Sequence, residues 1–127
     1  MIQDYFVNEC KAAYPELEWS VDYYEGAGNK GVVYLEQGDP PENYDVGWRY
    51  PYYMFFIRSE DFYRAEQIAY SIFERFNKRL KERFTTTDGQ VYDIIFIEAS
   101  SDVNRLGVRE GCMEYTVNFK ATLQKIQ

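Results

Sequence analysis

Between Arg49 and Phe84 the chain carries the stretch that most narrows its possible folds. Tyr52, Tyr53, Met54, Phe55, Phe56 and Ile57 follow Pro51 without a polar break, the pattern of a strand buried on both faces. Ser59, with Glu60 and Asp61 behind it, reads as a helix start: a hydroxyl to cap a free N–H and two carboxylates at the positive end of the dipole. Ala65, Ile68, Ala69, Ile72, Phe73, Phe76 and Leu80 then recur as one stripe of a 3.6-residue period, with no Gly or Pro between them. The spacing predicts a helix of about 24 residues, roughly 36 Å long. A compact chain of this size has a radius of gyration of roughly 14 Å, so such a helix would cross the whole molecule.

With 127 residues, the chain is expected to form a single domain over 1–127 with a core of its own. Apolar residues make up 46% and aromatics 19%, which argues against disorder despite a net charge of −7. Thirteen of the residues are Tyr, an amphipathic side chain suited to half-buried surfaces and protein interfaces. The two cysteines, Cys10 and Cys112, are too few and too far apart for a zinc motif and read as buried thiols. No charged-then-apolar leader opens the sequence and no apolar run approaches the roughly 20 residues of a membrane span, so a soluble protein made in a cytoplasm, with no membrane partner, is expected. Histidine is absent. That excludes Ser-His-Asp and Cys-His catalysis and His-containing metal sites, and the reading is of a protein that is not an enzyme and carries no cofactor or metal.

In chain order, Ile2, Tyr5, Phe6, Cys10 and Ala13 share one helical face and Pro15 ends the pattern, a short N-terminal helix. Trp19, Val21 and Tyr23 alternate with polar residues, and Val32 to Leu35 resumes a strand after the turn-forming Glu25 to Gly31, so the two are expected to pair as a hairpin. The Gly-Ala-Gly-Asn-Lys-Gly within that turn lacks the spacing of a nucleotide loop. Gln37 to Gly47 is a polar loop with two prolines. Beyond the helix, Val91 to Ile97 is a second largely two-faced apolar strand. Ser100 to Gly111 reads as a loop of mixed charge. Met113, Tyr115, Val117 and Phe119 alternate with Glu114, Thr116, Asn118 and Lys120, a strand with one wet face. The expected fold class is therefore α+β: a mostly antiparallel sheet of about five strands against one long amphipathic helix, with a short N-terminal helix.

Charge is segregated. Residues 1–48 hold ten acidic and two basic side chains, net −8, and residues 49–127 hold eleven acidic and twelve basic, net +1. The acidic half reads as a solvated face or as a surface that repels another polyanion. Arg75, Lys78, Arg79, Lys81 and Arg83 are expected to form the cationic last turn that a helix dipole favours. Among the acids, Asp22, Glu25, Asp93, Glu98 and Asp102 cannot be paired by spacing alone. Asp93, inside an apolar strand, needs an edge position or an ion pair, and Ser100-Ser101-Asp102 has no base beside it and reads as a turn. Arg105, Arg109 and Glu110 with exposed Leu106 and Val108 between them suit an interface rim.

The segment Tyr92-Asp93-Ile94-Ile95-Phe96-Ile97-Glu98-Ala99-Ser100-Ser101, a loop with Leu106-Gly107, then Glu110-Gly111 and Tyr115-Thr116-Val117-Asn118-Phe119 resembles the C-terminal part of tail-terminator proteins of long-tailed bacteriophages, often labelled minor capsid proteins. The order of elements and the strand-then-helix centre are also similar. Where that family carries an aromatic stretch after Ser-Ser, this chain has Asp102-Val103-Asn104-Arg105. The resemblance implies a non-enzymatic virion protein at the head–tail junction, made in the host cytoplasm, that forms a ring, usually a hexamer, on the finished tail tube. Its implied partners are itself, the tail tube protein and a head-completion or connector protein, with DNA passing through the lumen without specific binding. On that reading Arg105, Leu106, Val108, Arg109 and Glu110 are candidates for the contact between subunits. Asp39, Glu42 and Asp45, on the acidic Pro-Pro loop, are candidates for the lumen, where acid would repel phosphate. The alternatives are another phage head–tail connector component, a monomeric binding module with a Tyr-rich sheet, and an enzyme with two carboxylates facing one pocket.

Overall fold

The computed structural model describes residues 1–41 and 47–126. Its elements run α1 (Gln3–Ala13), β1 (Glu18–Val21), β2 (Lys30–Asp39), β3 (Trp48–Ser59), α2 (Phe62–Phe76), β4 (Arg79–Thr85), β5 (Val91–Ala99), β6 (Asn104–Arg109) and β7 (Cys112–Ile126). The expected α+β arrangement of five strands on one long helix is not what forms. The chain is mostly sheet, a curled seven-stranded mixed sheet with two short helices.

Strand β7 is the spine. Its alternation sends Met113, Tyr115, Val117, Phe119, Ala121 and Leu123 into the core. β3 lies antiparallel along one of its edges, and the other edge is shared end to end, by β6 over Cys112–Thr116 and by β5 over Phe119–Ile126. The order across the sheet is β1-β2-β3-β7-β5-β4, with β6 beside β7. Among the described residues β1 and β2 pair in parallel and every other pairing is antiparallel.

Both helices cover the same face. The α1 positions Gln3, Phe6, Val7 and Cys10 and the α2 positions Ala65, Ile68, Ala69, Ile72 and Phe76 are buried, each set on one stripe of a 3.6-residue period. Phe6 meets Tyr53, Phe55 and Phe76 with ring centroids 5.1–5.3 Å apart, and Phe55 and Phe76 in turn meet Phe119. This aromatic knot joins both helices to β3 and β7. Gly31 is where Trp19 lies flat on the sheet: a Cβ there would come 2.7 Å from the indole ring.

Three expectations are corrected. First, the helix stops at Phe76, after 15 residues. Asn77 leaves helical geometry, Lys78 turns the chain at φ 65, and Arg79 starts β4. Leu80, apparently the end of the apolar stripe, is an edge-strand residue 59% exposed. The N-cap is Asp61, whose carboxylate accepts from Arg64 N–H, while the Ser59 hydroxyl accepts from Asp61 N–H. Second, β1 and β2 are not a hairpin. Asp22, at φ 59, swings the chain onto the face away from the helices, where Tyr24 stacks on Phe56, and it returns so that Lys30 lies beside Glu18. Third, Ser100 to Gly111 is not a loop. It contains β6 and a two-residue turn, Glu110-Gly111, both at positive φ as a type I′ hairpin requires.

Candidate interaction surfaces

The face of the sheet away from the helices carries no second layer of helix or strand among the described residues, and Tyr24 of the β1–β2 connection lies on Phe56 there. On β2, β3 and β5 it presents Tyr34, Tyr52, Met54, Phe56 and Phe96, all half-buried, because these alternate with the core positions Val33, Tyr53, Phe55, Ile57 and Ile97. The expectation of a strand buried on both faces is corrected at 52–57: Tyr53, Phe55 and Ile57 are buried on the helix side, while Tyr52, Met54 and Phe56 on the other are half-buried. On β7, Asn118, Lys120, Thr122 and Gln124 form a half-buried polar ridge through the middle of this surface.

At one end the same face closes over charge. Glu18, Lys30, Arg58 and Glu114 occupy one transverse row across β1, β2, β3 and β7. Lys30 Nζ lies 2.5 Å from Glu18 Oε2, and Arg58 Nε lies 3.4 Å from Glu114 Oε2. Arg58 is 1% exposed and Glu114 5%. The Arg58 guanidinium also donates through Nη2 to the Arg109 carbonyl at 3.2 Å, so the buried cation reaches the last residue of β6. Gly28 O lies 3.9 Å from Cys112 Sγ, which closes the returning β1–β2 connection over this end. Both cysteines are buried and free, and burial pushes the Cys10 thiol far up.

The helix face carries a second polar cluster. Glu9 of α1 holds Arg79 by two bonds, at 2.6 and 2.8 Å, and Arg75 at 3.1 Å. The bond from Arg79 holds the Glu9 carboxyl below its ordinary range against the opposing effect of burial. Tyr14 shares a hydrogen bond with Ser71 Oγ and accepts from Arg75 Nε. The five cations read as one helical turn are thus spread over a helix end and an edge strand. Arg75 and Arg79 are spent on Glu9, and Arg83 grips Asp93 at 2.7 and 3.1 Å. That ion pair is the partner Asp93 needs, and it holds the carboxyl below the usual range.

The five candidate contact residues fall together. Arg105, Leu106, Val108, Arg109 and Glu110 all lie on β6 or its hairpin tip and all are exposed, Leu106 by 52% and Val108 by 57%. Arg105 stands opposite Tyr115 and Val108 opposite Met113. Burial raises the Tyr115 hydroxyl, with Glu66 and Tyr70 of α2 adding to the effect and Arg105 opposing it, so the α2 flank bearing exposed Tyr70 adjoins this edge. Of the candidate lumen residues, Asp39 ends β2, where it accepts from Tyr52 at 3.2 Å and pairs with Lys120 at 3.0 Å. Glu42 and Asp45 lie outside the described residues. Sequence reasoning missed the Lys30–Arg58–Glu114 cluster. Its signal was a charged residue near the end of each of two strands, Arg58 beside the last residue of β3 and Glu114 near the start of β7.

Among the described residues no group of three or more His, Cys, Asp or Glu is placed to hold a metal. No described helix is long and apolar enough to cross a membrane. No protein-family model matches the chain, and no curated protein matches it.

Proposed function

We propose that this chain is a structural protein of a long-tailed bacteriophage that assembles as a ring, caps the tail tube and joins tail to head. The observation that carries the reading is the uncovered sheet face. A surface of Tyr34, Tyr52, Met54 and Phe96, with Phe56 beneath Tyr24, beside a polar ridge has the aromatic composition of a protein interface, and a neighbour or the tube end would supply its missing layer. Its partners on this reading are further copies of itself, the tail tube protein and a head-side connector protein, with DNA passing through the lumen. Catalysis plays no part in it.

Light scattering and native mass spectrometry on the protein, alone at high concentration and again with tail tubes, test this. A closed ring under either condition is the expected result, and a monomer under both overturns it. A second reading has its own support: Tyr34 and Tyr52 on an open sheet would also suit a monomeric module that binds a peptide. That reading requires the monomer the first one excludes.

A further inference from the structure

We propose that copies of this chain join head to tail by pairing the free edge of β6 with the free edge of β1 of the next copy, antiparallel, so that one sheet runs on from subunit to subunit. The inference rests on the ring reading above and supplies its contact. Three observations carry it.

The first is position. The described register runs straight across the sheet from Trp19 to Gly31, Ile57, Tyr115 and Arg105. β1 and β6 are thus the two ends of one five-strand row. Both have an outward edge. Glu18 donates its amide to the carbonyl of Asn29, just before β2, and Asp22 to that of Val33 in β2, so the groups of Trp19 and Val21 point the other way. Among the described residues β6 pairs with β7 and with no other strand.

The second is direction. β1 runs parallel to β2, and each later step in the row, β2 to β3, β3 to β7 and β7 to β6, is antiparallel. Three reversals leave β6 opposite in sense to β1. Copies related by rotation about an axis along the strands therefore present antiparallel edges to each other, the better-bonded pairing. A heterologous contact of this kind gives a ring where the rotation between copies closes, and not a two-fold dimer. Five strands at about 4.8 Å span roughly 24 Å per copy.

The third is charge and guarding. The β1 side carries Glu16, Glu18, Asp22 and Glu25, of which Glu16 and Glu18 already pair with Arg64 and Lys30 of the same subunit, and β6 carries Arg105 and Arg109 around exposed Leu106 and Val108. The other outer strand, β4, is guarded by exposed Lys78 and Lys81 at positive φ, the devices that block edge pairing. β6 has a bulge of its own at Gly107, at φ 106, but it keeps Leu106 and Val108 exposed along its edge.

The test uses Ser20→Cys, Leu106→Cys and the double variant, each checked for native circular dichroism and treated with a short bismaleimide at high concentration and with tail tubes. The native cysteines are buried. The expected result is a ladder of cross-linked multimers from the double variant and almost none from either single variant. Strong dimers from Leu106→Cys alone would mean a two-fold contact and overturn the proposal. Rings that assemble yet never cross-link in the double variant overturn the edge contact and leave the ring reading standing. Monomer by light scattering under every condition removes both.

Discussion

Lys30 and Arg58 face each other directly in the antiparallel register of β2 and β3, with 7% and 1% of their surfaces exposed. Like charges in that position repel. They are tolerated because each has an acid on its outer side, Glu18 for Lys30 and Glu114 for Arg58. The two arms differ: Glu18 reaches in from solvent, whereas Glu114 is itself buried, and Arg58 Nε and Glu114 Oε2 have no hydrogen-bond partner among the described residues. Removing one member of a buried pair strands a charge, while removing both can be neutral. Glu114→Gln should therefore destabilise the fold by about 3–5 kcal/mol, and Arg58→Met with Glu114→Leu should restore most of that loss. Urea unfolding of the three proteins checks it. A Glu114→Gln variant as stable as the parent would show that Lys30 and Arg58 need no internal counter-charge.

The Glu9 clamp makes an acid-sensitive link between α1 and the β4 strand that follows α2. Its carboxyl is depressed in the folded state, chiefly by the Arg79 bond, relative to an unfolded value of about 4.3. Its contribution is thus fully present above that value and is lost as pH falls through the lower folded value. The carboxylate is 28% exposed, so solvent screening limits the worth of the link to about 1–2 kcal/mol. Glu9→Gln should lower stability near neutrality by that amount and flatten the fall between roughly pH 5 and 3. Denaturant midpoints measured across that range decide it; parallel curves for parent and variant would remove Glu9 from the acid response.

Phe76 and Leu80 fall on one helical stripe in the sequence but have opposite fates. Phe76 is fully buried against Phe6, Phe55 and Phe119, and Leu80 is 59% exposed on β4. Phe76→Ala should cost about 3–5 kcal/mol, and Leu80→Ala about 0.5 kcal/mol or less. Equal costs for the two would restore the long helix.

What the sequence hid has a common cause. The two-faced run of β3, the alternation of β7 and the buried stripe of α2 as far as Phe76 were legible because each is a long periodic pattern of apolar side chains. The breaks were not, because four sharp changes of direction are made by residues that rarely adopt positive φ: Asp22, Lys78, Lys81 and Glu110. Asp22 turned an expected hairpin into a parallel pair, Lys78 ended α2 early, Lys81 kinked β4, and Glu110 with Gly111 closed the β6–β7 hairpin. No Gly, Asn or Pro stands at any of the four positions to announce a turn. The charge pattern of the candidate contact residues Arg105, Leu106, Val108, Arg109 and Glu110 was legible as an exposed segment, while the strand that carries them was not.

Glu110 is the simplest of these to improve. It is exposed at φ 52 and precedes Gly111 at φ 79, the geometry for which Asn-Gly is favoured. A bulky side chain there carries about 1 kcal/mol of backbone strain that Asn largely avoids. Glu110→Asn should raise stability by about 0.5–1 kcal/mol, read as a shift of the urea midpoint at unchanged slope. A lowered midpoint would mean that the carboxylate makes a compensating interaction.

The last expectation concerns DNA, which on the proposed function passes the ring without adhering to it. Affinity for a duplex rises with the number of phosphates neutralised by cations, each adding about 0.9 to the salt slope. The cations from Arg75 to Arg83 are the densest in the chain, yet Arg75 and Arg79 are bound to Glu9 and Arg83 to Asp93. Exposed Lys78 and Lys81 remain, against a net charge of −7. Two contacts give little affinity at physiological salt, and the surrounding acid repels the backbone over a Debye length of about 8 Å. A gel-shift titration with duplex DNA should show no retained complex at physiological salt and at most weak, salt-labile retention at low salt. Submicromolar binding that survives physiological salt would instead make the α2–β4 corner a nucleic-acid footprint, and Lys78→Glu with Lys81→Glu would then abolish it.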